Sequence, residues 1–408
     1  MLGLIDKLRS REVQGNPIKA AVVGTGYMGS GVINVIEEAP GMKVAAVWGE
    51  NGKSQAGDVI RDYHISGVNV ADSIEELCSQ TDIDVIVDAT SSPLVGAEAG
   101  VRAVGNGKHL VSINIECDVT VGNKLKAMAD EKGVVYTVIA GDEPGELKIF
   151  YDHYTALGFK VIALGKGKNN PLQTDANPET VLKNLPDNGI TAEQVASFVD
   201  GSKTMFEMAC VSNAVNCVPD KRGMHGPEAK IEELTSIYTT LDKGGILEKE
   251  GVVDYVTGPA LSGGIFIVVK TDNQRIKEDF KYLKIGNGPN YAFYQRYHNW
   301  FIDTPLSIAR AVISNEGVIA SLPQKTSEVV AVAKRDIEAG EKLDGIGGYT
   351  VYGEIEVYDT AQKQGYLPHG LTEVCRVKKN IKKDSSLRID DVEMDSGVYL
   401  ARIWRGEK

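Results

Sequence analysis

Lys19-Ala20-Ala21-Val22-Val23-Gly24-Thr25-Gly26-Tyr27-Met28-Gly29 is the stretch on which the fold turns. The uninterrupted apolar run from Ala20 to Val23 suits a parallel strand covered on both faces. Three glycines follow it. Gly24 permits a tight turn, Gly26 lets the backbone approach a pyrophosphate, and Gly29 lets a helix pack closely on the strand. A diphosphate would then rest on the helix N-terminus, where free N–H groups and the helix dipole favour an anion. Standing alone, a GxGxxG pattern is weak. It becomes specific between the first strand and first helix of a βαβ series, so Gly24, Thr25, Gly26, Tyr27, Met28 and Gly29 are candidate dinucleotide-binding residues.

That series is present. MKVAAVWG (42–49), DIDVIVDAT (82–90), KHLVSIN (108–114) and GVVYTVIAG (133–141) each read as a buried parallel strand, continuous, β-branched and bounded by Gly or Asp. Helical patterns separate the strands at 29–38, 74–80, 93–106 and 119–132, and Ser73 with Glu76 forms a capping box for the second. The alternation predicts a doubly wound Rossmann sheet over 1–143. Near Glu143 the texture changes. A helix over 144–157 leads to FKVIALGKG, a polar stretch (169–191), and then VVDYVTGPA and GGIFIVVKT, which read as paired strands. Residues 144–325 are thus expected to form an α+β substrate domain. From Thr326 short strands and frequent turns predict a small, mostly β domain over 326–408. The overall class is α/β.

The bulk numbers exclude several functions. With 408 residues the chain exceeds one core, and 42% hydrophobic with 25% charged residues is an ordinary globular composition. A net charge of -12 opposes a nucleic-acid partner; the one basic run, Arg376 to Lys383, reads as a solvated turn. No segment reaches the roughly 20 apolar residues of a membrane span. The N-terminus lacks the apolar core of a signal peptide and reads as an amphipathic helix packing Leu4, Ile5 and Leu8. Five cysteines without a CxxC pair fit free thiols in a reducing cytoplasm, and the six scattered histidines have no zinc-ligand spacing. The expected location is cytoplasmic, the expected partner a small molecule, and self-assembly into a homo-oligomer stays open.

Ligands of such sheets bind beyond the carboxyl ends of the strands. The residues to weigh there are Asp88, Ala89 and Thr90, then Asn114 and Glu116, then Asp142 and Glu143. Ala89, Thr90 and Asn114 are candidates for the cofactor. Asn114 also serves as a turn or cap, and Glu116 as an acid at a helix start. Asp142, Glu143 and Glu146 could hold Mg²⁺ or Mn²⁺ or could simply open the helix at Pro144; both readings stand. The second strand ends at Gly49, where an NAD enzyme usually carries a carboxylate. Lys53 and Arg61 are near, so NADP is favoured over NAD, with Glu50 the residue that could reverse this.

Lys166 and Lys168 lie two apart on a strand and face one side; with Asn169 and Asn170 they could clamp an anionic substrate group. Asp200 precedes a helix on which Lys203 and Glu207, four apart, share a face. Arg222 and His225 fall in a Gly-Pro-rich loop, where polar function is common. The segment NGPNYAFYQRYHNWFIDTPLSIARAV offers Arg296, His298 and Arg310, while its aromatics read as core rather than cofactor stackers.

With these segments assembled, GTGYMGSG, DVIVDAT, SINIECDVTVG, GDEPGELK, GKGKNNP, FVDGSKTMFEMA, RGMHGP, GVVDYVTGPA and TPLSIARAV resemble homoserine-dehydrogenase-like oxidoreductases that carry a C-terminal SAF domain. Within that group the chain is most similar to the deoxyxylulose phosphate reductoisomerase-like enzymes. The last 80 or so residues resemble SAF-type β segments. Two departures bear on substrate. Asn114 is followed by Ile115 where homoserine dehydrogenases have lysine, and Lys203 and Glu207 stand with reversed signs, which argues against homoserine. Asn114-Ile115-Glu116 and Asp142-Glu143 only partly echo the Asn-Lys-Glu and metal-binding carboxylates of the reductoisomerases. The resemblance implies NADPH-dependent reduction of a small polyol or sugar-phosphate carbonyl, with or without skeletal isomerisation as in isoprenoid biosynthesis. Lys203 would be the proton donor, oriented by Glu207 or Asp200. The alternatives are a hydroxy-aldehyde dehydrogenase without rearrangement and a non-catalytic NAD(P)-binding sensor.

Overall fold

A computed structural model describes residues 3–186, 189–259 and 261–407. Strands β1 (Ile18–Val23), β2 (Met42–Trp48), β3 (Asn69–Val70), β4 (Val85–Asp88), β5 (His109–Ser112) and β6 (Tyr136–Val138) form one parallel sheet in the order β3-β2-β1-β4-β5-β6. This is the doubly wound order whose crevice opens between β1 and β4. The central strands β1, β4 and β5 are buried on both faces, as their apolar runs require, whereas β2 exposes Lys43 and the short edge strand β3 is partly exposed. Helices Tyr27–Glu38, Ile74–Ser79, Pro93–Gly105 and Asn123–Lys132 supply the covers, the last entered through a π-helical turn at Asp118–Gly122. The helix Lys53–Asp62 and the two-residue β3 went unforeseen, because that helix is mostly polar and buries only Ala56 and Ile60, and β3 is too short to make an apolar run. Ser73 caps its helix as expected, accepting from the Glu76 amide at 3.1 Å, but Glu76 reaches back to Asp72 rather than to Ser73. In the N-terminal helix Leu4–Val13, Leu8 is buried while Ile5 is exposed, so the apolar stripe is narrower than expected.

A second sheet carries β7 (Lys160–Gly167), β8 (Val218–Pro219), β9 (Val252–Val256), β10 (Ile265–Lys270) and β11 (Asn290–Gln295), in the order β11-β10-β7-β9-β8. Here the expected pairing of VVDYVTGPA with GGIFIVVKT is corrected. β7 lies between them, parallel to β9 and antiparallel to β10. The link between β9 and β10 is long enough to cross one intervening strand, and β7 is suited to the central place by its glycines. A Cβ on Gly165 would fall 1.9 Å from the Asp254 carbonyl oxygen, and one on Gly167 1.7 Å from that of Leu261. Ala260, in the same link, lies outside the described residues. Helices Glu143–Ala156 and Ser202–Val215 cover this sheet.

The chain then returns to the first unit, which texture alone did not reveal. Ile308, Ala309 and Ala311 join the core beneath β1, and Ile319 bridges to Val138. The C-terminal region pairs β12 (Ser327–Ala333) with β13 (Val351–Val357), and β14 (Cys375–Val377) with β15 (Val392–Met394), both antiparallel. It packs on both earlier units. Its Leu343, Leu367, Leu400 and Ile403 share a core with Ala97, Ala103 and Leu110, and its Ile355 shares one with Phe206. In the basic run, Arg376 bonds the Gly340 carbonyl, Lys379 pairs with Asp391 and Lys382 with Asp336. The five cysteines are buried free thiols, and among the described residues no helix is long and apolar enough to cross a membrane.

Candidate active site

The turn after β1 is built as its glycines require. Gly24 has φ +99°, and a Cβ there would press on Thr90 and the Ala89 carbonyl; one on Gly29 would fall 1.9 Å from the Gly24 carbonyl oxygen. At Gly26 a Cβ would meet no atom within 4 Å, so the turn presents bare backbone to open space. That space belongs to a cavity of about 520 Å³, walled at one end by Gly24, Thr25, Gly26, Tyr27 and Met28 with Ala89, Thr90 and Glu50. Tyr27 packs against Trp300, which also lines the cavity. The expectation that the aromatics around 291–301 are core is therefore corrected for Trp300, and also for Tyr294 and Tyr297, which are exposed.

At the other end stand Glu116, Asp142, Glu143, Lys166, Lys168, Asn169, Asn170, Lys203, Glu207 and His298. The segments that follow β5 and β6, the end of β7, and the first two turns of Ser202–Val215 bring most of them together, and the stretch after β11 adds His298. Lys203 Nζ lies 3.0 Å from Glu116 Oε1, while Lys166 joins Glu143 at 2.5 Å and Glu207. Burial alone would lower the pKa of both lysines. Facing carboxylates outweigh it, Glu116 foremost for Lys203 and Glu143 for Lys166, and both are held above the ordinary lysine value. Lys168 instead donates to the Phe198 carbonyl at 2.7 Å, and burial, with Lys166 beside it, pushes its pKa down to about 8. Burial and the Glu143 charge hold the Asp142 carboxyl well above the usual range. At Glu143 burial is outweighed by Lys166 and His298, so it stays ionised.

Several expected site residues go elsewhere. Asp200 caps the next helix by accepting from the Ser202 amide and pairs with Lys334 at 2.8 Å, away from the cavity. Glu207 turns to Lys166, so the orienting partner of Lys203 is Glu116, 87 residues distant in sequence. Asn114 is fully buried. Its Oδ1 accepts from the Cys117 amide and its Nδ2 donates to Thr90 Oγ1 and the Ser92 carbonyl, bracketing β4 to β5 rather than facing a ligand. Arg222 is engaged by Glu354 and Ser386, and His225 by Asp220. Lys53 pairs with Asp72 at 2.8 Å and Gly49 abuts Thr25, so neither lines the cavity, whereas Glu50 does.

Of Arg296, His298 and Arg310, which the sequence offers without a role, the fold brings His298 to the cavity. Its Nδ1 lies 2.8 Å from the Gly263 carbonyl, turning Nε2 toward Glu143 at 3.5 Å. Ligand atoms of Asp142, Glu143 and His298 lie within 4.8 Å of one another. Two carboxylates and an imidazole oriented by a backbone carbonyl form a donor set that fits a divalent cation of the Mn²⁺ type.

Comparison with known proteins agrees with this division of labour. Residues 18–140 match the family model described as the oxidoreductase family, NAD-binding Rossmann fold, and residues 141–304 match that of the oxidoreductase DRL catalytic domain. The chain thus carries an NAD(P)-binding Rossmann domain and a catalytic domain, both of oxidoreductase type. Homoserine dehydrogenase of Pseudomonas aeruginosa is 28% identical over 142 residues, so the chain spans 31% of that relative's length, and the match covers 31% of this chain. Among solved structures, myo-inositol dehydrogenase of Lactobacillus casei with NAD(H) and myo-inositol aligns at 13% identity, covering 75% of this chain and 89% of its own, with a TM-score of 0.43. Biliverdin reductase of Synechocystis with biliverdin and NADP+ aligns at 15%, covering 74% and 92%, with a TM-score of 0.37.

Proposed function

We propose that this protein reduces the carbonyl of a small anionic polyol, such as a sugar phosphate, with hydride from NADPH. One observation carries the reading: the bare glycine turn and a buried lysine–carboxylate cluster wall a single cavity. A dinucleotide seated on the turn would direct its nicotinamide toward the cluster. When bound, the dinucleotide would supply hydride to the carbonyl carbon, and Lys203 is placed to give a proton to the oxygen on which the charge then gathers. Glu116 keeps Lys203 charged and in place. Lys168, with Asn169 and Asn170, would hold the anionic group. A divalent cation on Asp142, Glu143 and His298 would supply Lewis-acid polarisation of a substrate oxygen.

NADP remains favoured over NAD. The Lys53–Asp72 pair is exposed and worth at most about 1 kcal/mol, less than the roughly 1.5–3 kcal/mol of a charge-assisted bond to a 2′-phosphate. Glu50 opposes this, and replacing it with Gln should strengthen NADP binding relative to NAD. The SAF-like character of residues 326–408, cytoplasmic location and self-assembly belong to the same proposal.

The test is NADPH oxidation against hydroxy-ketone and hydroxy-aldehyde phosphates, with and without Mn²⁺, on wild type and Lys203→Met. The variant is expected to lose at least ~100-fold in kcat while NADPH affinity holds. Near-normal turnover removes Lys203 from its role. Product analysis with deoxyxylulose phosphate separates reduction with rearrangement from plain reduction, and no oxidation with any carbonyl would leave a dinucleotide-binding sensor.

A further inference from the structure

The first two domains do not complete the cavity's wall. Ile346, from the loop between Leu343 and Thr350, lines the same cavity as Gly24 to Met28, and this loop lies outside both segments that match family models. Three sets of contacts hold it there. Gly347 has φ +73°, and a Cβ on it would fall 2.0 Å from the Glu193 carbonyl oxygen, so the loop's backbone rests directly on the helix Ala192–Val199. That helix itself brings Glu193, Gln194, Ser197 and Phe198 to the cavity, and Gln194 reaches Ser91 beyond β4 at 3.5 Å. Asp344 folds the loop on itself, accepting from the amides of Tyr349 and Thr350 and from the Thr350 hydroxyl. Finally, Lys334 Nζ donates to the carbonyls of Gly348 at 2.7 Å and Ala176 at 2.5 Å while pairing with Asp200.

We propose that the C-terminal region is part of the dinucleotide site, with Ile346 packing against the bound cofactor and the chain Asp200–Lys334–Gly348 setting its position. The chemistry is that of an apolar side chain removed from water against a flat heterocycle or ribose, while Asp344 bonds back onto the loop to hold its shape. This assigns Asp200 a purpose. It is a positioning residue for the wall of the site and never touches the reacting atoms. The inference rests on the dinucleotide reading above.

Titration of NADPH into the full chain, followed by nicotinamide fluorescence, tests it. Ile346→Ala should weaken binding roughly tenfold or more through lost apolar contact, and Ile346→Val, which removes one methylene, by about threefold. Lys382→Ala, a surface change in the same region, should bind as wild type does. Unfolding temperatures are read in parallel. Wild-type affinity in the Ile346→Ala variant overturns the proposal, as does an affinity loss that accompanies unfolding while Ile346→Val binds normally. Failure of wild type itself to bind either nicotinamide dinucleotide overturns the dinucleotide reading, a result distinct from both.

Discussion

Lys168 differs from the other two lysines of the cavity in what answers its charge. Lys166 faces Glu143 and Glu207, and Lys203 faces Glu116; Lys168 has a backbone carbonyl. An ammonium held this way is the one with charge to spare for an anion. Its pKa of about 8 arises from burial and from Lys166, with Glu207 and Asp200 pulling weakly the other way. The sign follows: the cation is present below pH 8 and lost above it, so affinity for an anionic substrate should fall as pH rises through that value. The KM for a sugar phosphate should climb above pH ~8 while that for a neutral polyol stays flat. Lys168→Met should raise the phosphate KM about tenfold at pH 7, a charge-assisted bond's worth, and abolish the climb. Persistence of the climb in that variant assigns it to another group. The sequence made Lys166 and Lys168 legible because strand alternation puts residues two apart on one side. It could not show that Glu143 and Glu207 neutralise only the first, since one partner opens the preceding helix and the other lies 41 residues further on. Asn114, Arg222 and His225 misled for a related reason. Polar residues in turns serve caps and interdomain contacts as readily as ligands, and only the fold says which.

At the scale of the element, the turn from β1 into the helix Tyr27–Glu38 separates two duties that a glycine pattern merges. Gly29 has backbone against its α-hydrogens, so Gly29→Ala forces the turn and helix apart and should cost about 1–3 kcal/mol of stability, as overpacking does. Gly26 has φ -71° and space around it, so Gly26→Ala should leave the unfolding midpoint unchanged. Its added methyl would stand where the pyrophosphate must approach, and NADPH affinity should drop at least ~10-fold with no matching change in fold. Denaturant unfolding alongside NADPH titration checks both. A Gly26→Ala variant that binds normally would mean the pyrophosphate lies elsewhere. The elements of the first sheet were legible because a parallel strand buried on both faces is apolar throughout and its helices carry caps at fixed offsets. The second sheet was less so. Apolar runs located β9 and β10, but their separation by β7 depends on pairing across nearly a hundred residues, which no local pattern encodes. His298 and Trp300 entered the site by the same long-range route.

For the whole molecule the question is what ties the C-terminal region to the catalytic one. Apolar burial does part of it, through the core that Val329 and Ile355 share with Phe206, whereas the core around Leu343 and Leu367 ties the region to the first unit. The Asp200–Lys334 pair adds a buried ionic link at 2.8 Å, with both side chains almost wholly excluded from water. Burial pushes the Asp200 carboxyl upward and Lys334 pulls it down, the Ser202 contact assisting, with a net rise. Such a pair is weak as a net source of stability but expensive to break from one side, because the surviving charge keeps its desolvation penalty. Asp200→Asn and Lys334→Met should therefore each destabilise by about 3–5 kcal/mol, and the double variant by clearly less than their sum. If the link also sets the cavity wall, the doubly substituted protein should recover much of its stability without recovering wild-type NADPH affinity, since the Gly348 and Ala176 carbonyls still lack their donor. Strict additivity in the unfolding cycle would show that the two charges are independent. Full recovery of binding together with stability would show that the link holds the domains and nothing more.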